Sequence, residues 1–152
     1  MNAIPDRIEK KILLRAPKAR VWRALADTKE FGAWFGVNLQ GEFSPGATVS
    51  GKITTKGYEH LTMVVTVERV DKERLLSFRW HPGATEPNVD YAGDPMTLVE
   101  FQIEEAKDGT MLTVVESGFD KVPLARRAKA FEGNEGGWAE QIKNIERYVA
   151  QG

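Results

Sequence analysis

The chain contains no cysteine and only two histidines, His60 and His81. The lack of cysteine excludes disulfide bonds, thiolate nucleophiles and cysteine-ligated metals. The two histidines do not form an HxH or HExxH motif, so we expect no metal site and no bound cofactor.

Long hydrophobic runs and a surplus of charge of one sign are also missing. No run approaches the roughly 18 apolar residues of a membrane span, and the first residues lack the apolar segment of a secretion signal. A cytoplasmic location is therefore the expectation. With 21 basic and 22 acidic residues, the formal charge is −1. Nucleic-acid binders need a basic surplus to release counterions, so we expect no nucleic acid as partner.

The composition is that of an ordinary globular domain. The chain has 152 residues, of which 41% are hydrophobic and 28% charged. A compact chain of this size buries roughly 70% of the surface that its unfolded form exposes, so it needs no covalent cross-link to build a core. We find no internal repeat and no linker, and predict a single domain over residues 1–152.

The N-terminal quarter predicts one strand followed by two short helices. Residues 7–15 partly alternate between apolar and charged side chains, which favours a strand. Pro17 suits the first turn of a helix, and the residues after it predict a helix ending at Ala26. Asp27 and Thr28 then provide an N-cap for a second short helix, which carries Phe31, Trp34 and Phe35.

The middle of the chain changes to the period of two that is typical of strands. We predict strands over residues 41–43, 48–54, 60–70, 75–80, 96–104 and 111–116. Short turns separate most of them, so the pairing should be antiparallel and sequential. Residues 81–95 are an exception, because three prolines and two glycines there predict a long polar connection of the kind that forms lids or binding loops.

The C-terminal end predicts a long amphipathic helix. One apolar stripe is formed by Trp138, Ile142, Ile145 and Val149, at spacings of four, three and four. A second helical pattern covers residues 122–131, and the glycines at 133, 136 and 137 predict a break, a kink or a close approach to the sheet. The whole pattern predicts an α+β fold in which about six or seven curved antiparallel strands wrap around the long C-terminal helix.

Five short motifs in order resemble one family over residues 8–150. They are Ala16-Pro17 with Val21-Trp22-Arg23-Ala24-Leu25, then Trp34-Phe35, Leu76-Ser77-Phe78-Arg79-Trp80, Glu116-Ser117-Gly118-Phe119 and Gly137-Trp138. The chain resembles the Hsp90-ATPase-activator-homologue-1-like family of the START-like (SRPBCC) superfamily, whose fold is the Bet v 1 helix-grip. The eukaryotic activators that name the family have a separate N-terminal Hsp90-binding domain, and that domain has no counterpart in this sequence.

The resemblance implies a cavity between the sheet and the long helix. Strand alternation and the helix stripe suggest which side chains face it. The predicted ligand-binding residues are Trp34, Phe78, Trp80, Phe101, Glu116, Phe119, Trp138 and Ile142. Aromatic residues often line apolar ligand pockets, but the same residues would also fill a core, and the sequence leaves both possibilities open.

Glu116 is the candidate catalytic residue. It continues the inward register of Leu112 and Val114, and a carboxylate inside a cavity is a candidate general acid or base. We expect Arg79, His81 or a backbone amide near Gly118 as its partner. The alternative is a strand-end carboxylate that is hydrogen-bonded to the following turn.

Three functions follow from these observations. The first is non-catalytic binding of a small apolar or amphipathic molecule in the cavity. The second is a cavity enzyme, of the cyclase, dehydratase or hydrolase type, that uses Glu116 as acid or base. The third is an Hsp90-related or stress-related protein-interaction module. A homodimer is also possible, through an exposed strand edge or through the outer face of the two short helices.

Overall fold

Seven strands and three α-helices form the part of the chain that the structure describes. In this computed structural model, residues 6–82 and 95–151 are described. The elements are β1 (Arg7–Leu14), α1 (Lys18–Ala26), α2 (Thr28–Phe35), β2 (Val37–Gln40), β3 (Thr48–Ile53), β4 (Thr62–Asp71), β5 (Leu75–Trp80), β6 (Thr97–Ala106), β7 (Gly109–Ser117) and α3 (Leu124–Ala150). A short 3-10 helix, Phe119–Lys121, precedes α3. The predicted α+β architecture, with two short helices after the first strand, is confirmed.

The sheet is antiparallel throughout and has the order β1-β7-β6-β5-β4-β3-β2. Neighbours in sequence pair from β2 to β7, whereas β1 pairs with β7 at the far edge. The register of β4 on β5 shifts between Val67 and Arg69, and such a bulge increases the local twist of a sheet. The inner face receives the helices, so the core lies between the sheet and α1, α2 and α3.

Local sequence sets the ends of the two short helices. Pro17 stands at the N-cap of α1, as its fixed φ and missing N–H favour. The Asp27 carboxylate accepts hydrogen bonds from the backbone N–H groups of Lys29 and Glu30 at the start of α2. Gly36 ends α2 with φ of 94°, a left-handed conformation that strains any residue with a Cβ. These caps confirm the predicted boundaries.

The C-terminal helix differs from the prediction of a break. α3 is one continuous helix of 27 residues, and it passes through Gly133, Gly136 and Gly137. A Cβ added at any of the three would meet no neighbouring side chain or strand within 4 Å, so there is no close approach to the sheet either. Helix formation is cooperative and most helical stability comes from packing. The buried side chains of α3 therefore outweigh the cost of three exposed glycines.

Gly136→Ala is expected to raise the free energy of unfolding by about 0.5–1 kcal/mol, because glycine in a helix interior loses more backbone entropy than alanine. Urea unfolding measures the change. Gly36→Ala is the opposing control: its φ is positive and its Cβ would lie 2.6 Å from Thr55 Oγ1, so this variant should lose stability. A loss for Gly136→Ala would mean that the helix is not regular at that position.

One predicted strand differs from the structure, and one predicted connection lies mostly outside the described residues. The prediction of a strand at residues 41–43 is wrong, because the strand lies at Val37–Gln40. The pattern there is an alternation of buried Val37 and Leu39 with exposed Asn38 and Gln40, whereas Gly41 already has φ of 98° and leaves the extended conformation. The predicted long connection falls mostly on residues 83–94, which lie outside the described residues.

A charged cluster on the helical side joins all three helices. Glu30 of α2 accepts from Arg20 Nη1 at 2.9 Å and Arg23 Nε at 2.8 Å, both on α1. Tyr148 of α3 donates its hydroxyl to the same carboxylate at 3.0 Å, and the Arg20 guanidinium lies 5.0 Å from the centre of its ring. Burial, followed by the hydrogen bond to Glu30 and its negative charge, raises the pKa of Tyr148.

No helix among the described residues is both long enough and apolar enough to cross a membrane.

Candidate functional site

A fully buried carboxylate lies on the inner face of the sheet, near the C-terminal end of β7. Glu116 is on β7 and has 0% of its surface exposed. It follows Leu112 and Val114, which are also buried, along the same face of the strand. In the antiparallel register it stands between Ile8 of β1 and Val99 of β6. The prediction that Glu116 points inward is confirmed.

Four side chains donate hydrogen bonds to the two Glu116 oxygens. Oε2 accepts from Trp80 Nε1 at 2.7 Å and from Thr97 Oγ1 at 2.5 Å. Oε1 accepts from Trp138 Nε1 at 2.9 Å, and Asn134 Nδ2 lies 3.0 Å from both oxygens. A carboxylate has about four lone-pair sites, so these donors satisfy it. Glu116 thereby links β5, β6 and β7 to α3.

These partners differ from the predicted ones, and none of them carries a positive charge. Arg79 points to the outer face, where its Nε lies 3.2 Å from Glu68 Oε1. Across residues 6–82 and 95–151, the ion pairs within 4.0 Å do not include Glu116. Buried charges are normally paired with an opposite charge or bound to a metal, so a buried carboxylate whose partners in the described chain are all neutral donors is unusual.

Three aromatic rings pack next to this carboxylate. The indoles of Trp80 and Trp138 are stacked, with centroids 5.7 Å apart and planes inclined by 25°. The ring of Phe35, at the end of α2, lies 6.2 Å from Trp80 and 6.0 Å from Trp138. Each indole N–H is held by Glu116, so the hydrogen bonds fix the orientation of both rings.

These rings form one wall of an open pocket of about 180 Å³. The pocket is lined by Phe35, Trp80, Gly133, Asn134, Gly137, Trp138 and Gln141. Gln141 donates its Nε2 to the Phe35 carbonyl at 2.8 Å and accepts at Oε1 from Asn144 Nδ2 at 3.0 Å. The polar side chains of the wall are therefore engaged in internal hydrogen bonds, and the glycines and aromatic rings make up the rest of the wall.

The eight residues predicted to bind a ligand lie in different parts of the molecule. Trp80 and Trp138 line the pocket, and Glu116 lies behind them. Phe78 and Phe101 are fully buried in the core, with ring centroids 5.7 Å apart.

The other three predicted residues lie away from this pocket. Trp34 is buried and donates its Nε1 to the Ala24 carbonyl at 2.8 Å. Phe119 packs on Phe131 with centroids 5.1 Å apart. Ile142 is half-buried against the core.

Sequence reasoning missed five of the lining residues: Phe35, Gly133, Asn134, Gly137 and Gln141. Phe35 was placed on the second short helix but not in the cavity wall. Asn134 and Gln141 lie one turn before and almost one turn after Trp138. Residues three and four apart share a helix face, and this spacing was the signal that could have identified both. In the part of the chain that is described, no group of three or more acidic, histidine or cysteine side chains is arranged to hold a metal.

Comparison with protein families decides where the chain belongs. The family described as "Activator of Hsp90 ATPase homolog 1-like protein" matches residues 15–150. The chain belongs to this family. No curated protein sequence matches it.

Several solved structures are similar to this chain, and they share its fold. Protein MLL2253 from Mesorhizobium loti superposes with a TM-score of 0.75 at 19% identity, covering 95% of this chain and 97% of its own. DynU16, a putative protein of the dynemicin biosynthetic locus, gives 0.73 at 22% identity, covering 97% of this chain and 48% of its own. The Aha1 dimer from Colwellia psychrerythraea gives 0.70 at 14% identity, covering 94% and 95%. At these identities the likeness concerns the helix-grip fold alone.

Proposed function

We propose that this protein binds a small apolar or amphipathic molecule, without transforming it, in the pocket between α2, β5 and α3. The pocket wall carries the proposal. The wall contains three aromatic rings, from Phe35, Trp80 and Trp138. It also contains two glycines of α3, Gly133 and Gly137. Ligand sites are typically concave and rich in aromatic side chains, with few polar groups. Two glycines without side chains keep the helical side of the pocket open.

The pocket volume sets the size of the ligand. Sites for drug-sized molecules usually span about 300–1,000 Å³, whereas this pocket has about 180 Å³. A cavity of about 150 Å³ is large enough for a molecule the size of benzene. The proposed ligand is therefore about one ring in size, or a larger molecule that inserts only one end.

The hydrogen bonds of Glu116 support a positioning role for this residue. A general acid or base must reach the proton that it transfers. Both Glu116 oxygens are already occupied by four donors and have no exposed surface. We therefore assign Glu116 to holding Trp80, Trp138 and Asn134 in place, in preference to the acid or base role that it has in the cavity-enzyme hypothesis.

Filling the pocket from the helix tests this proposal. Gly137→Leu and Gly133→Leu are expected to weaken ligand binding by about tenfold or more, because each side chain extends into space that the ligand needs. Gly136→Leu is the matched control, since Gly136 is on the same exposed helix segment but does not line the pocket. Ligands are first identified by native mass spectrometry and by a panel of one-ring compounds, and their affinities are measured by tryptophan fluorescence.

Equal affinities for Gly136→Leu and Gly137→Leu would contradict the location of the site. A panel with no binder, together with a protein that purifies without any bound molecule, would contradict the function itself.

The small pocket also gives a second candidate function, as a protein-interaction module. The core beneath the pocket is filled by aromatic side chains, including Phe31, Phe78 and Phe101, all fully buried. The family is named for an activator of Hsp90, and its Colwellia member is a dimer. An Hsp90-type partner and a homodimer remain proposals for this chain. A molecular mass of twice 17.0 kDa in light scattering would support the homodimer.

A further inference from the structure

We infer that the ligand of this pocket is a small organic cation, with an alkylammonium or trimethylammonium group as the part that inserts. This inference rests on the proposed function and specifies its ligand class. It depends on the juxtaposition of a buried carboxylate, which has no positive partner among residues 6–82 and 95–151, and an aromatic pocket wall directly in front of it.

The first observation is the chemistry of the partners of Glu116 in the described part of the chain. Its four donors are indole, hydroxyl and amide groups, all neutral. The carboxylate is fully buried, and interactions between charges are less screened in a protein interior than in water. The carboxylate lies one side chain behind the pocket wall, and in its ionised form it therefore makes the pocket favourable for a cation.

The second observation is the neutrality of the pocket wall. Among the described residues, the seven that line the pocket include no Lys, Arg, His, Asp or Glu. Within the described lining, no cation competes with a ligand cation, and no carboxylate offers a direct ion pair that would favour a strongly hydrated ion such as Na⁺. A weakly hydrated organic cation suits such a site, because aromatic faces replace its loosely held water.

The third observation is the chemistry of the rings. Cations are attracted to aromatic faces, most strongly to tryptophan, and quaternary ammonium groups are commonly recognised in this way. Trp80 and Trp138 both donate their indole N–H to Glu116. Hydrogen bonds in a chain polarise one another, so donation to a carboxylate increases the electron density of each indole ring and strengthens its attraction for a cation.

A pair of isosteres tests the charge preference. Choline and 3,3-dimethylbutan-1-ol have nearly the same shape, but only choline is charged. We expect choline to bind at least about tenfold more tightly, as a desolvated cation–π contact of about 2 kcal/mol would give. Isothermal titration calorimetry at constant ionic strength measures both. A phosphatidylcholine vesicle is the additional arm: co-sedimentation would identify a lipid headgroup as the source of the cation, and its absence a free small molecule.

Two variants separate the contributions. Trp80→Phe keeps an aromatic ring but removes the indole, and it should reduce affinity for choline more than affinity for the neutral isostere. Trp22→Phe is its control, because Trp22 is buried on α1 away from the pocket lining. Glu116→Gln should bring the two affinities together. If Glu116→Gln does not fold, the isostere comparison on the unmodified protein decides.

The outcomes distinguish this inference from the function on which it rests. Tighter binding of choline supports both. Equal binding of the two isosteres overturns the cation inference and leaves a pocket for small molecules. If neither compound binds and no member of the one-ring panel does, both proposals are overturned.

Discussion

Replacing Glu116 with leucine is expected to lower the free energy of unfolding by about 4 kcal/mol or more. The substitution removes the acceptor for four donors, and each buried donor left without a partner costs about 1–3 kcal/mol. Trp138 and Thr97 are buried at 3% and 0% exposure, so water does not replace the carboxylate there. Because domains are stable by only about 5–15 kcal/mol, we expect Glu116→Leu to be largely unfolded at 37 °C. Circular dichroism with urea unfolding measures the loss.

Two further variants show whether the hydrogen bonds are the cause. Glu116→Gln retains one acceptor oxygen, so it should lose less stability than Glu116→Leu. Glu104→Leu is the control on an exposed position of β6, where a substitution usually changes stability by no more than about 0.5 kcal/mol. If Glu116→Leu were as stable as Glu104→Leu, the four donors would have other partners, and Glu116 would not be the residue that positions the pocket wall.

The sequence predicted the position of Glu116 but not its partners. Strand alternation depends only on neighbouring residues, so the inward direction followed from Leu112 and Val114. The partners depend on the register of three strands, which brings Trp80 and Thr97 beside Glu116. Asn134 requires in addition that α3 continues without a break past Gly133. The glycines predicted a break, a kink or a close approach to the sheet there, and a break would have removed Asn134 from the helix face that it shares with Trp138.

The sequence pattern predicts the fold better than it predicts the lining of the pocket. Helix and strand periods, caps and turns are local, and they predicted most elements to within about two residues. Whether an aromatic side chain lines a cavity or fills it depends on the space between elements. Phe78 and Phe101 alternate like Trp80, yet they are fully buried, whereas Trp80 is half-buried at the pocket. The difference depends on how far along its strand each residue lies from the pocket. Strand alternation predicts the face of the sheet but not this position.

Glu30→Ala is expected to lower the free energy of unfolding by about 2–4 kcal/mol. The Arg20 side chain is only 15% exposed, and removal of Glu30 leaves it without its carboxylate in a poorly hydrated site. Loss of one partner of a buried ion pair costs about 3–5 kcal/mol, and the 21% exposure of Glu30 reduces this figure. The hydroxyl of Tyr148 also loses its acceptor, so α1, α2 and α3 lose a common contact.

A second glutamate of the same chain provides the matched control. Glu9 pairs with Arg7 at 2.6 Å, but both side chains are about half exposed, and exposed pairs contribute about 0–1 kcal/mol. Glu9→Ala should therefore be close to neutral in the same urea titration. Because Glu30 is one cause of the raised pKa of Tyr148, that pKa should also move down toward its ordinary value in Glu30→Ala, as followed by ultraviolet titration. Equal losses for the two variants would show that the cluster at Glu30 contributes no more than a surface ion pair.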